Sequence, residues 1–158
     1  VLTVTVVDVS NNCSPVEGAA VYLWHCNAEG EYSAYSGSGQ SDQTGQTFLR
    51  GVQVTDTDGN ATFTTIYPGR YAGRATHFHA RIYQDDSFNL ALKTTQFAFD
   101  DALNNTVYAS SSDYDDSEAT KETTNAQDGI FSDGYSGQLL TISGSSATGY
   151  VGSIIVGV

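Results

Sequence analysis

The 158-residue chain has no methionine, one tryptophan, two prolines, two cysteines and three histidines. Lysine and arginine together number six, against 18 acidic residues, for a formal net charge of -12. Such a field repels polyanions, which argues against nucleic acid and anionic membrane surfaces as partners. No apolar run approaches the roughly 20 residues of a membrane-spanning helix. Charged residues make up 15% of the chain, too few for a helical protein built on Glu- and Lys-rich surfaces. What is plentiful is glycine, serine, threonine and tyrosine, a composition that suits strands and turns. The length predicts one domain, residues 1–158, able to bury a core.

Hydrophobic alternation places the strands. Residues 2–9 form a β-branched run, and residues 19–26 a second. Residues 27–47 are polar and glycine-rich and read as a long surface loop, the kind that often carries function. Val52–Val54 and Ala61–Ile66 flank Thr55-Asp56-Thr57-Asp58-Gly59-Asn60, a pattern that predicts a hairpin. Strands follow at 77–83, 91–99, 138–142 and 149–156. Residues 100–128 are polar and acidic, with a cluster at Asp113, Asp115, Asp116 and Glu118; the stretch predicts a solvated loop with at most short helical turns, one starting at Asp100–Asn104. Seven or eight strands without a long helix predict an all-β antiparallel sandwich with long loops.

The densest concentration of chemistry is Pro68-Gly69-Arg70-Tyr71, followed by Arg74-Ala75-Thr76-His77-Phe78-His79. On a strand, side chains alternate between faces. His77 and His79 therefore share one face, and Phe78, Ala80 and Ile82 the other. Two adjacent imidazoles on a rigid element make half of a metal site, although their spacing alone allows zinc, copper or iron. His25 and Trp24 read as fold or pocket-rim residues. Asp56 and Asp58 resemble the opening of a calcium loop, but the closing glutamate is missing, so a turn is the better reading.

The segments Pro15–Trp24, Asn27–Tyr32, Thr55–Gly59, Phe63–Tyr71 and Arg74–His79, in that order, resemble the intradiol ring-cleaving dioxygenases, the group that contains catechol and protocatechuate dioxygenases. The resemblance spans roughly residues 13–99, and the His-x-His strand after a Pro-Gly-x-Tyr turn is its most specific part. It implies a prealbumin-like sandwich holding a mononuclear non-haem Fe(III) on Tyr32, Tyr71, His77 and His79. Tyr35, close to Tyr32, is the rival for the first tyrosine. Arg74 matches the family's active-site arginine, and Gln96 its glutamine beside the substrate ring; Arg74, Tyr71 and Gln96 are thus the expected catalytic side chains. Two departures stand out. Tyr71 precedes His77 by only six positions, shorter than is usual, which opens one wall of the pocket. The helical dimerisation region of catechol dioxygenases is missing, which favours a monomer and resembles the small secreted members, some of which carry extra binding modules.

The implied chemistry is coherent with the residue types. Fe(III) is a hard cation and is best held by anionic oxygen. Two phenolates and one hydroxide neutralise it, and a catecholate dianion can replace one phenolate and the hydroxide at constant charge. In the family the exchanged phenolate belongs to the Pro-Gly-x-Tyr turn, here Tyr71. Arg74 can then stabilise negative charge that develops on the ring. The expected partners are a small aromatic diol and O2, and the expected product is a muconate-type diacid.

Other expectations concern the setting. The acidic balance and low lysine content lean toward secretion, with Cys13 and Cys26 bridged. The chain opens directly on a strand at Val1, as a mature or trimmed portion of a longer precursor would. Asn12, Asn60 and Asn104 lie in glycosylation sequons, relevant in a eukaryotic secretory host. Degradation of lignin-derived aromatics is a fitting role. The competing reading is a non-catalytic carbohydrate-binding or adhesion sandwich, which shares the Pro-x-x-Gly-Ala-x-Val and Asp-x-Asp-Gly features but leaves His77, His79 and Tyr71 unexplained.

Overall fold

The computed structural model describes residues 1–37, 40–114 and 122–158. Two sheets pack face to face. One is built on β1 (Leu2–Asp8), flanked on one side by β2 (Ser14–Pro15) and β5 (Asn60–Phe63) and on the other by β9 (Gly149–Gly157), which pairs with β8 (Thr141–Ser145). The other runs β4 (Arg50–Val54), β3 (Ala20–Trp24), β6 (His77–Tyr83), β7 (Ala91–Ala98). The all-β sandwich expected from the sequence is what forms. One pairing departs from antiparallel order: β1 and β9 run parallel, Leu2 opposite Gly152 and Val7 opposite Gly157.

The period-two pattern explains the core. Leu2, Val4 and Val6 from β1 meet Val21 and Leu23 from β3 and Phe78, Ala80 and Ile82 from β6. Each such large apolar side chain contributes about 1.5–3 kcal/mol by leaving water. Because Phe78, Ala80 and Ile82 face inward, His77, His79 and Arg81 face outward. That outer face is not open to solvent along its length. A second apolar cluster of Ala75, Ala98 and Phe131, joined by Tyr135 and Leu139, covers its first residues.

Three expectations are corrected. The segment after Asp100 forms α1 (Asp101–Ser110), a ten-residue helix rather than short turns. Asp100 caps it by accepting from the Leu103 N–H at 2.9 Å, and Asn104, Val107 and Tyr108 form its buried stripe. The predicted hairpin does not exist. β4 pairs with β3 and β5 pairs with β1, so residues 55–59 carry the chain from one sheet to the other. Asp56 holds that crossing by accepting from the backbone N–H groups of Asp58 and Asn60. Cys13 and Cys26 are not joined in a disulfide: Cys13 is exposed in the turn after β1, whereas Cys26 is buried beyond β3 with its thiol donating to the Gly69 carbonyl at 3.4 Å. Of the acidic cluster, Asp115, Asp116 and Glu118 lie outside the described residues. Among the described residues no helix is long and apolar enough to cross a membrane.

Candidate functional site

β6 presents His77 and His79 side by side, with their Nε2 atoms 3.0 Å apart. His77 is locked by its own backbone: its Nδ1 lies 2.6 Å from the Ala75 carbonyl oxygen. A carbonyl only accepts, so Nδ1 carries the proton and Nε2 of the neutral ring is a lone pair. The Tyr32 hydroxyl lies 3.0 Å from that same Nε2. His79 is fixed differently, by Trp24 on the adjacent strand. Trp24 and His79 are cross-strand partners, and their rings stack 4.7 Å apart at an interplanar angle of 5°.

The two tyrosines come from loops, and backbone contacts bring the loops together. Gly69 donates to the Asn27 carbonyl at 3.0 Å. A Cβ on Gly69 would stand 2.1 Å from the Ala28 carbonyl oxygen, and one on Gly30 would stand 2.1 Å from the Arg70 carbonyl oxygen. Each glycine is therefore required by close approach of the other loop, and Gly30 also adopts φ +82°. This interlock sets the Tyr32 and Tyr71 rings edge to face, 5.2 Å between centroids. Gln40 completes the frame. Its side-chain amide accepts from the Tyr32 N–H at 3.0 Å and donates to the Tyr32 carbonyl at 2.9 Å, as a neighbouring strand would.

The result is a cavity of about 270 Å³ lined by Trp24, Tyr32, Tyr35, Tyr71, Arg74, His77 and His79, with Ser36, Gly37 and Gln40 at its loop side. Burial shapes its ionisation. Desolvation pushes His77 down to about 4. Desolvation, with the neighbouring His77 and Arg74, pushes His79 down to about 3. Both imidazoles are therefore neutral ligand-type bases at neutral pH. Burial pushes the Tyr32 phenol well above its ordinary range, so its phenolate needs a neighbouring cation.

The donor set fits a hard metal ion. The Tyr32 hydroxyl and the His79 Nε2 each lie 3.0 Å from the His77 Nε2, close enough for all three to face one cation. With one proton fixed on His77 Nδ1, the Tyr32 hydroxyl and His79 Nε2 converge on a single lone pair, a crowding that a shared cation relieves. Among the described residues no group of three or more His, Cys, Asp or Glu side chains gathers, so the donors here are imidazole and phenol, a combination suited to Fe(III) rather than to a thiolate-type zinc site.

Tyr32, Tyr71, His77, His79 and Arg74, all expected from the sequence, meet in this cavity. Tyr35 stands at its rim, 53% exposed and edge-on to Tyr32. Gln96 is not among the lining residues. Its side-chain carbonyl accepts from the Arg74 guanidinium at 2.6 Å, and its backbone carbonyl accepts from Gln138 at 3.0 Å. One partner had no signal in the sequence. Asp128, fully buried, accepts from Arg74 Nε at 2.9 Å and from the Ala75 N–H at 2.6 Å with one oxygen, and from the Ile130 N–H at 2.7 Å with the other. A single aspartate 54 positions from its arginine has no spacing by which to be found.

A two-sheet sandwich with an imidazole–phenol pocket on the outer face of one sheet is the class of protein that fold and site define. A family model described as "Dioxygenase" matches residues 1–87. The catechol 1,2-dioxygenase of Candida albicans is 40% identical over 58 residues, which cover 36% of this chain and 18% of that protein. The matched segment is thus less than a fifth of that curated relative. Among solved structures, an intradiol ring-cleavage dioxygenase from Tetranychus urticae superposes with a TM-score of 0.84 at 28% identity, over 99% of this chain and 78% of that one. The dioxygenase domain of a dioxygenase carbohydrate-binding fusion from Streptomyces sp. SirexAA-E shares the fold, with a TM-score of 0.66 at 24% identity over 99% of this chain and 77% of that one. The chain belongs to the intradiol ring-cleaving dioxygenase family.

Proposed function

We propose that this protein is an Fe(III)-dependent intradiol dioxygenase that opens catechol-type diols with O2. The observation that carries the reading is the convergence of the Tyr32 hydroxyl and the His79 Nε2 on the His77 Nε2, each at 3.0 Å, beside Tyr71. Tyr32, Tyr71, His77 and His79 would hold the metal. Bound iron supplies the means of joining a closed-shell diol to O2.

The chain's own residues do the rest. His77 and His79, fixed by the Ala75 carbonyl and the Trp24 ring, are the rigid donors. Tyr71 stands on the turn that follows Gly69 and takes a hydroxyl proton from the incoming diol at its phenolic oxygen. Arg74 is oriented by Asp128 and Gln96 through Nε and one terminal nitrogen. Its other terminal nitrogen has no partner among the described residues and can donate to oxygen that gains negative charge. The bond between the two hydroxylated carbons breaks, both atoms of O2 enter the product, and catechol becomes a muconate-type diacid with no other atom gained or lost.

The setting we favour is extracellular, on aromatics released from lignin, supported by the net charge of -12. The test is direct. Iron-loaded protein should show a visible phenolate-to-metal charge-transfer band and consume one O2 per catechol, with a muconate product spectrum. A colourless protein that stays inactive after reconstitution with iron would rule the reading out.

A further inference from the structure

We propose that the cavity selects uncharged diols over diols that carry a carboxylate on the ring, because Asp128 neutralises the one cation that lines it. The inference rests on the dioxygenase reading for its substrate class, and on the charge layout alone for its direction.

Among the described residues the only charged side chain lining the cavity is Arg74. It is not a free cation. Asp128 is fully buried and bonded to Arg74 Nε at 2.9 Å, and its proximity to Arg74 and two backbone N–H groups holds its carboxyl below the ordinary range against the opposing effect of burial. The pair therefore presents a dipole to the cavity rather than a net positive charge, and a dipole's pull falls off steeply with distance. Arg50, the other cation in the neighbourhood, spends its donors on Ser33 and Tyr22 and stacks over the Tyr35 ring.

The rest of the wall is neutral. Trp24 and Tyr35 offer aromatic surface, Ser36 a hydroxyl and Gly37 none, while the Gln40 amide is committed to the backbone of Tyr32 and Tyr35. A carboxylate on a bound ring would lose water here without gaining a cation. Burying an unpaired charge costs several kcal/mol, far more than the modest gain or loss from a methyl group. The overall charge of -12 adds repulsion during approach.

The experiment compares 4-methylcatechol with 3,4-dihydroxybenzoate, which put a neutral or an anionic group at the same ring position. Oxygen uptake should give kcat/KM at least tenfold higher for the methyl compound. A second readout needs no turnover and no iron. Trp24 is the chain's only tryptophan and lies on the cavity wall, so quenching of its fluorescence in the metal-free protein reports occupancy. Quenching should be at least tenfold tighter for 4-methylcatechol. Equal binding, tighter binding of the acid, or no quenching by either compound overturns the inference. If neither compound consumes oxygen, the dioxygenase reading fails while the fluorescence comparison still decides this one. Asp128→Asn should move the ratio at least tenfold toward the acid by releasing the charge of Arg74. Should that variant fail to fold, Ser36→Arg places a cation on the exposed loop wall and should move the ratio the same way; an unmoved ratio there overturns the inference.

Discussion

His77 Nε2 and His79 Nε2 lie 3.0 Å apart with the Tyr32 hydroxyl equally close to the first of them, an arrangement that brings more lone pairs than protons to one place. His79→Ala removes one donor and the stacking partner of Trp24. Iron content, read by elemental analysis, should fall from one per chain to near zero, and the visible band should vanish. His25→Asn is the contrasting variant. His25 is buried, with its ring nitrogens on the Cys26 carbonyl and the Thr65 hydroxyl. It should keep full iron content while losing about 1–3 kcal/mol of stability in denaturant titration, the cost of disturbing a buried hydrogen-bonded group. Loss of iron in the His25 variant, or its retention in the His79 variant, would contradict the site as drawn.

Tyr32 and Tyr35 separate cleanly by position. Tyr32→Phe deletes the hydroxyl that faces His77 and should cost at least tenfold in iron affinity and shift the charge-transfer maximum. Tyr35→Phe deletes a hydroxyl at an exposed rim and should leave both within twofold. Absorbance titration of the two variants with ferric iron distinguishes them, and a reversed order would exchange their roles.

All three histidines are held below their ordinary value of 6.5 by burial: His25 and His77 to about 4 and His79 to about 3. In each case the folded value is lower than the unfolded one, so the unfolded chain binds the proton first as pH falls. Stability of the metal-free protein should therefore be flat above pH 6.5 with respect to these groups. It should decline as pH drops from 6.5 toward 4, by about 1.4 kcal/mol per pH unit for each imidazole fully protonated only when unfolded. Histidine ring resonances followed by NMR should show no midpoint above pH 5. A midpoint near 6.5 for His77 would mean that its ring is not enclosed as described.

Gly69→Ala tests the interlock of the two loops. The new Cβ would meet the Ala28 carbonyl oxygen at 2.1 Å, and that atom is backbone, which cannot rotate away. Destabilisation on the order of 2–4 kcal/mol is expected, together with weakened iron binding, because the turn carrying Tyr71 must move. Unchanged thermal unfolding with unchanged iron affinity would show that the loops part easily.

The parts of the site that lie on one short stretch were legible in the sequence. The alternation of His77 and His79 against Phe78, Ala80 and Ile82 is strand geometry, and Tyr71 sits within the same run. What escaped depends on chain contacts over long distances. Asp128 reaches Arg74 only because residues 128–139 fold across the outer face of β6 and β7. The helix after Asp100 was masked by polar composition, yet Asn104, Val107 and Tyr108 already had helical spacing and Asp100 a capping position. The supposed hairpin had the right turn residues, but turn chemistry says where a chain reverses and not which sheet the next strand joins. The expected bridge failed for a related reason. Closeness in sequence between Cys13 and Cys26 says nothing of their directions, one outward on a turn and the other inward against Gly69.

The parallel pairing of β1 with β9 has a consequence for how the molecule is made. Leu2 finds its partner Gly152 only when nearly the whole chain is available. Closing so long a loop is entropically costly and slow. During synthesis β1 leaves the ribosome well before β9 and waits, with one edge unfilled, until β9 emerges. The sheet that carries His77 and His79 has no such dependence, since its strands pair between residues 20 and 98. The sheet that carries the two histidines can therefore take shape while its partner sheet is still incomplete.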